Sequence, residues 1–150
     1  MPTYTVKFSN LKISNSQKKN LAKKITSIHN VTTGANTYFA QVVFHQIKKN
    51  DHFMGGKTVK GKELFVHGQI RAGRTDDIKN NLIIGIRDGV MKVLKLQKEN
   101  IWVYLYCSLN NGNSIIWISS LGTSYVYIPI RICSANFFSY YLFDCITIRR

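Results

Sequence analysis

Apolar and polar positions alternate at the start of the chain, with Tyr4, Val6 and Phe8 interleaved by Thr5, Lys7 and Ser9. A period of two predicts a strand over residues 3–9 with one buried face. After a polar connection, Ser14 is followed at the third position by Gln17, the pattern of a capping box. Leu21, Ile25 and Ile28 then recur at helical spacing, while Lys18, Lys19, Lys23 and Lys24 crowd the outer surface. This helix is expected to end within residues 30–36, which contain Gly34. Residues 38–47 read as a second strand, and residues 48–62, with Gly55, Gly56 and Gly61, as a flexible polar connector.

The same order then returns. Residues 64–70 predict a third strand and residues 71–74 a turn. Thr75 is placed to cap a second helix, with Asp76 and Asp77 in its first turn, where the helix dipole favours negative charge. Ile78, Leu82, Ile86, Val90 and Val93 form its inner stripe, and residues 101–106 a fourth strand. The order is β-α-β, connector, β-α-β, with halves at about 2–47 and 63–106. Each half pairs its two strands in parallel through a crossover helix. The expectation is an α/β (α+β) fold: one four-stranded sheet with both helices on one face. The other face would be bare, which calls for oligomerisation.

Composition changes the picture at one point. The first 105 residues hold 15 lysines and the remaining 45 hold none, whereas Cys107, Cys133 and Cys145 all follow the change. The chain therefore divides into a domain at 1–105 and a divergent apolar tail at 106–150, with Tyr-containing apolar runs at 125–130 and 137–143. The tail is a buried β-rich extension, a loop region of its own composition, or the product of a shifted frame or unspliced intron. Loss of Lys and gain of Cys at one place favours the third. Exposed, such a segment would be prone to aggregate.

Over 150 residues, 45% apolar content is enough for a real core, and no apolar run reaches the length of a membrane span. The first residues lack the basic-then-apolar layout of a secretory signal, so a cytoplasmic protein is expected. Three cysteines give no complete disulfide framework, and neither they nor the four histidines show metal-ligand spacing; neither metal nor cofactor is expected. The balance of 21 Lys and Arg against 7 Asp and Glu, a formal charge of +14, suits an anionic partner. Aromatics are not interleaved with the basic residues of the first helix, so specific nucleic-acid binding is not expected and a small carboxylate fits better.

Pro2 follows the initiator Met, which is normally removed before a small residue. The exposed secondary amine can carry a proton. Arg71 and Arg74 flank Gly73 in one turn and offer paired planar donors to a carboxylate. Arginines near the amine would also disfavour its charged form. His29 lies near the end of the first helix, suited to a carbonyl or carboxylate or simply to the helix terminus. Tyr104, on the fourth strand, can donate to a reacting oxygen or belong to core or interface.

Taken together, Pro2, His29, the Phe39-Ala40-Gln41-Val42 segment, the run from Phe65 to Asp77 containing His67-Gly68, Arg71 and Gly73-Arg74, and Ile101-Trp102-Val103-Tyr104 resemble the tautomerase superfamily over residues 2–105. Within it the chain is most similar to the cis-3-chloroacrylic acid dehalogenase group, whose members are fused pairs of β-α-β units that assemble as trimers. The resemblance implies that Pro2 transfers the proton and that Arg71 and Arg74 hold the substrate carboxylate. It implies that His29 binds and polarises the substrate, and that Tyr104 positions water or a substrate oxygen. The dehalogenases of this group also use a glutamate past the tyrosine to activate water. Here that neighbourhood is Asn110 to Ile115, and the tail contains no Glu. Keto–enol tautomerisation of small 2-oxo acids needs no activated water and is the expected activity. Dehalogenation or hydration of 3-substituted acrylates, and an inactive protein of the same fold, are the alternatives.

Overall fold

The computed structural model describes residues 1–108, 114–119 and 125–128, with side chains through residue 107. Strand β1 (Thr3–Ser9) leads into helix α1 (Asn15–Thr33) and strand β2 (Gln41–Gln46). A short hairpin, β3 (Phe53–Met54) and β4 (Lys57–Thr58), precedes β5 (Glu63–Arg71), helix α2 (Asp76–Leu94) and β6 (Ile101–Ser108). Two further strands, β7 (Ser114–Ser119) and β8 (Tyr125–Ile128), follow.

The sheet runs β2-β1-β5-β6-β7-β8. β1 lies parallel to β2, and β5 parallel to β6, so each half is a β-α-β unit. The two halves meet through β1 and β5, which are antiparallel with Val6 opposite Val66. The expected four-stranded core sheet with two helices is therefore present, and β7 and β8 extend it in antiparallel fashion. Residues 137–143 lie outside the described residues, as do Cys133 and Cys145.

Local chemistry accounts for the element ends. Ser14 Oγ accepts from Gln17 N–H at 3.2 Å while Gln17 Oε1 accepts from Ser14 N–H at 3.0 Å, closing the capping box at α1. Thr75 Oγ1 accepts from Ile78 N–H at the start of α2. The second strand begins later than the apolar pattern suggests. Asn36 Oδ1 accepts from Tyr38 N–H and draws Thr37–Phe39 into a 3₁₀ turn, so β2 starts at Gln41. The connector is ordered rather than loose. Asn10 Nδ2 donates to the Val59 and Gly61 carbonyls, and His52 Nδ1 meets Ser9 Oγ at 2.8 Å.

The core forms where the sheet meets the helices. Tyr4, Val6 and Phe8 from β1, Leu64, Val66 and Ile70 from β5, and Ile101, Val103, Leu105 and Cys107 from β6 all point to this side. α2 seals it with Leu82, Ile83, Ile86 and Val90, whereas α1 contributes Leu21, Ile25 and His29. Ile78 and Val93, expected in the α2 stripe, are only partly buried; Ile83 and Gly89 take the contact instead. The helices approach closely at Gly85 and Gly89, where an added Cβ would lie 2.9 Å from Ile28 side-chain atoms. No helix among the described residues is long and apolar enough to cross a membrane.

Candidate active site

At the end of the sheet where β1 begins and β5 ends, the helix-covered face carries a polar cluster inside otherwise apolar packing. Tyr4, two residues into the chain's first strand, is fully buried at 0% exposure. Its hydroxyl lies 2.6 Å from Nδ1 of His29, which the last turns of α1 hold at 3% exposure. The rings meet edge to face, with centroids 5.7 Å apart. Arg74, just past β5, donates from Nη1 to the Thr33 carbonyl at 2.8 Å and so covers the C-terminal carbonyls of α1. A guanidinium there also meets the negative end of the helix dipole.

Pro2 stands one residue before β1, and its carbonyl accepts from Gln41 N–H at 3.0 Å. Alternation along the strand turns Pro2 to the side of Tyr4. Pro2 is half-buried, and Met1 is 77% exposed. Cys107 of β6, paired through Ile70 of β5, reaches the same side at 3% exposure.

The electrostatics follow from this packing. Burial pushes the Tyr4 phenol well above its ordinary range; the Arg74 charge works against that and Cys107 adds to it. Burial lowers the His29 pKa, and Arg74 lowers it further by repelling an imidazolium. Burial raises the Cys107 thiol; Lys79 opposes this and Asp76 reinforces it. Lys79 is itself largely withdrawn from water and ion-paired to Asp76 at 2.9 Å. The cluster thus consists of a neutral tyrosine, a histidine biased to its neutral form, and a permanent cation.

The structure brings Pro2, His29 and Arg74 to one side of the sheet. Arg71 and Tyr104 stand elsewhere within the chain. Arg71 is the last residue of β5, exposed, and alternation turns it to the side of His67 and Gln69. Tyr104 lies on the uncovered face, stacked on His67 with centroids 4.8 Å apart and planes 13° from parallel. Burial raises its phenol, and Tyr106 adds to the shift. The segment Leu109–Asn113, part of the neighbourhood in which a water-activating glutamate would be sought, lies outside the described residues.

Sequence reasoning missed Tyr4, read simply as a core position of the first strand. The available signal was parity: Tyr4 sits two residues from Pro2, on the same face of one strand. It also missed Cys107 as a neighbour of the cluster, although the strand period of β6 places it on the side of Val103 and Leu105.

The uncovered face holds a second feature. Thr5, Lys7, His67, Gln69 and Tyr106 line a depression of about 250 Å³. His67 Nδ1 approaches the Tyr106 hydroxyl at 3.3 Å. Phe65 stacks over Trp102, whose indole N–H donates to Glu63 at 3.0 Å.

A fused pair of β-α-β units, with Pro2 just before the first strand and a buried His29 near Arg74, defines a class, and comparison with known proteins agrees. The family model described as "Putative oxalocrotonate tautomerase enzyme" matches residues 1–110. The chain belongs to this tautomerase family. Among solved structures it is similar to native Ps01740, at 28% identity over 69% of this chain and 90% of that one, with a TM-score of 0.64. It is also similar to N1, a member of the cis-3-chloroacrylic acid dehalogenase family, at 28% identity over 73% of this chain and 76% of that one, with a TM-score of 0.68. A fused 4-OT, described as a wild-type symmetric trimer, shares the fold at 19% identity, covering 75% of this chain and 94% of its own, with a TM-score of 0.64. No curated protein matches the chain.

Proposed function

We propose that this protein is a tautomerase-type enzyme that uses the amine of Pro2 to move a proton on small 2-oxo acids or their enols. The observation that carries this reading is the buried His29 near Arg74 on the helix-covered side of the sheet, with Pro2 just before β1 on the parity of Tyr4, inside a tautomerase fold. Met1 is exposed, which suits its removal and the release of the secondary amine. Neutral Pro2 takes the enol proton and returns one to carbon. Arg74 uses one N–H on Thr33 and retains others for a substrate carboxylate. Arg71, which shares the parity of His67 and Gln69, adds a second cation only when a neighbouring copy supplies it. His29 holds the carbonyl oxygen as negative charge develops on it. No cofactor is needed for this chemistry.

Tyr104 cannot join Pro2 within one chain, because the sheet separates them. Its role on a substrate oxygen therefore requires a neighbouring copy. We infer a homotrimer in which subunits meet through the uncovered face; the trimeric state of the fused 4-OT supports this. A domain at 1–105 with a divergent tail at 106–150 remains our reading of the chain's organisation, and a cytoplasmic location our reading of its setting.

The similarity to N1 supports a second reading, a cofactor-free dehalogenase or hydratase of 3-substituted acrylates. In that reaction Pro2 would be a cationic general acid, and a carboxylate near Tyr104 would have to replace the glutamate that the tail lacks.

The test is enol-to-keto conversion of an arylenolpyruvate by Met-free protein, verified by mass, against Pro2→Ala. The expected result is a clear rate that falls by about 10²–10⁴-fold in the variant. Equal or absent rates in two folded, trimeric samples would refute the proposal and leave a catalytically dead tautomerase fold.

A further inference from the structure

Tyr4 has no part in the chemistry assigned so far, yet its contact with His29 decides which nitrogen of that ring carries the proton. Both groups are buried, and a buried donor or acceptor left without a partner costs about 1–3 kcal/mol. Among the described residues, the Tyr4 hydroxyl has one hydrogen-bond partner, His29 Nδ1 at 2.6 Å. A neutral phenol always carries a proton to donate. If Nδ1–H donated to the tyrosine oxygen instead, the phenolic proton would be buried with nowhere to go. A doubly protonated imidazolium would meet the same conflict and would also face the Arg74 charge.

We propose that Tyr4 is a positioning residue: its hydroxyl donates to His29 Nδ1, which fixes the neutral imidazole proton on Nε2 and leaves Nε2–H as the donor offered to the substrate oxygen. This rests on the tautomerase reading above for the identity of that oxygen. The groups that bear on the pair are few. Tyr4 faces His29 from β1, Arg74 faces both from the turn after β5, and Cys107 faces Tyr4 from β6. Arg74 and the donated hydrogen bond push in one direction, toward a neutral ring. A neutral donor suits the reaction. It strengthens its hydrogen bond as the carbonyl oxygen becomes an enolate, without first placing a mobile second proton beside the Pro2 amine.

The experiment is long-range ¹H–¹⁵N correlation of the histidine side chains in full-length, Met-free protein across a pH series, with His29→Gln to assign the signal and Tyr4→Phe as the probe. At neutral pH the expected result is a single Nε2–H tautomer for His29. In Tyr4→Phe the Nδ1 acceptor loses its donor, so the tautomer becomes mixed and the titration midpoint rises. The same variant should lose about tenfold in kcat with KM within about twofold, because the donor acts mainly on the transition state. An Nδ1–H or charged His29 in the wild type would overturn the proposal. An unchanged tautomer and titration in Tyr4→Phe would do so as well. If Tyr4→Phe does not fold, the wild-type tautomer alone decides. The nuclear readout needs no turnover, so failure of the tautomerase reading would show separately, as a correct tautomer in a protein without activity.

Discussion

On the face of the sheet that the helices cover, Tyr4 and His29 are withdrawn from water and bonded to each other, beside a cation. On the opposite face, His67, Tyr104 and Tyr106 stack in a half-exposed row, and Phe65 with Trp102 forms a second. Both faces arise from one alternation along β1, β5 and β6, so they differ by a single residue of parity. The covered face gains its electrostatics within one chain. The uncovered face has aromatic area and titratable groups but, among the described residues, no layer of its own. The lesson is a division between the faces: the polar cluster of Tyr4, His29 and Arg74 sits where packing removes water, and the aromatic surface, Tyr104 included, is the one our proposal assigns to another subunit.

That contrast can be broken from the uncovered side. Trp102→Asp places a carboxylate among stacked rings and beside Glu63, and burying it against a second copy would cost several kcal/mol. Light scattering should show a trimer become a monomer at micromolar concentration, with the helical circular dichroism retained. A wild-type monomer, or a variant that stays trimeric, would sink the assignment of this face to assembly.

Gly68 tests the covered side. It pairs with Tyr4 across the central strands, and an added Cβ would lie 2.7 Å from atoms of both Tyr4 and Leu105. Gly68→Ala should therefore cost about 1–3 kcal/mol in urea unfolding and displace the Tyr4 ring. A variant as stable as the wild type would mean that this face is less tightly packed than described.

Acid titration gives the smallest effect and sharpens the comparison. Burial, aided by Arg74 at His29 and by Lys7 at His67, lowers both pKa values in the folded protein. The unfolded chain then binds more protons below about pH 6.5, so this stability is present above that pH and is lost as pH falls beneath it. The melting temperature should drop by on the order of a few °C between pH 7 and 5. His29→Gln should flatten the slope in trimer and in Trp102→Asp alike. His67→Gln should matter less in the latter, where its face is open to water. Equal behaviour of the two histidines would erase the distinction.

Much of this was legible in the chain itself. Capping by Ser14 and Thr75 is local chemistry, and both helices start where those residues place them. The duplicated order of elements gave the sheet, because a β-α-β unit leaves few arrangements. Three things were not legible. The 3₁₀ turn at Thr37–Phe39 depends on one Asn36 side-chain contact that an apolar run conceals. The connector hairpin is held by Asn10 and Ser9, partners far away in sequence. The separation of Tyr104 from Pro2 requires knowing how strands from two halves register, which no single segment encodes.

The antiparallel pairing of β1 with β5 has one more consequence. Each half carries its own parallel strand pair and its own helix, and the chain between them is a tether between two nearly complete partners. Cutting that tether would leave the seam at Val6 and Val66 intact but turn folding into a bimolecular event. Stability would then depend on dilution, and the short hairpin between the halves would be revealed as a device that sets effective concentration.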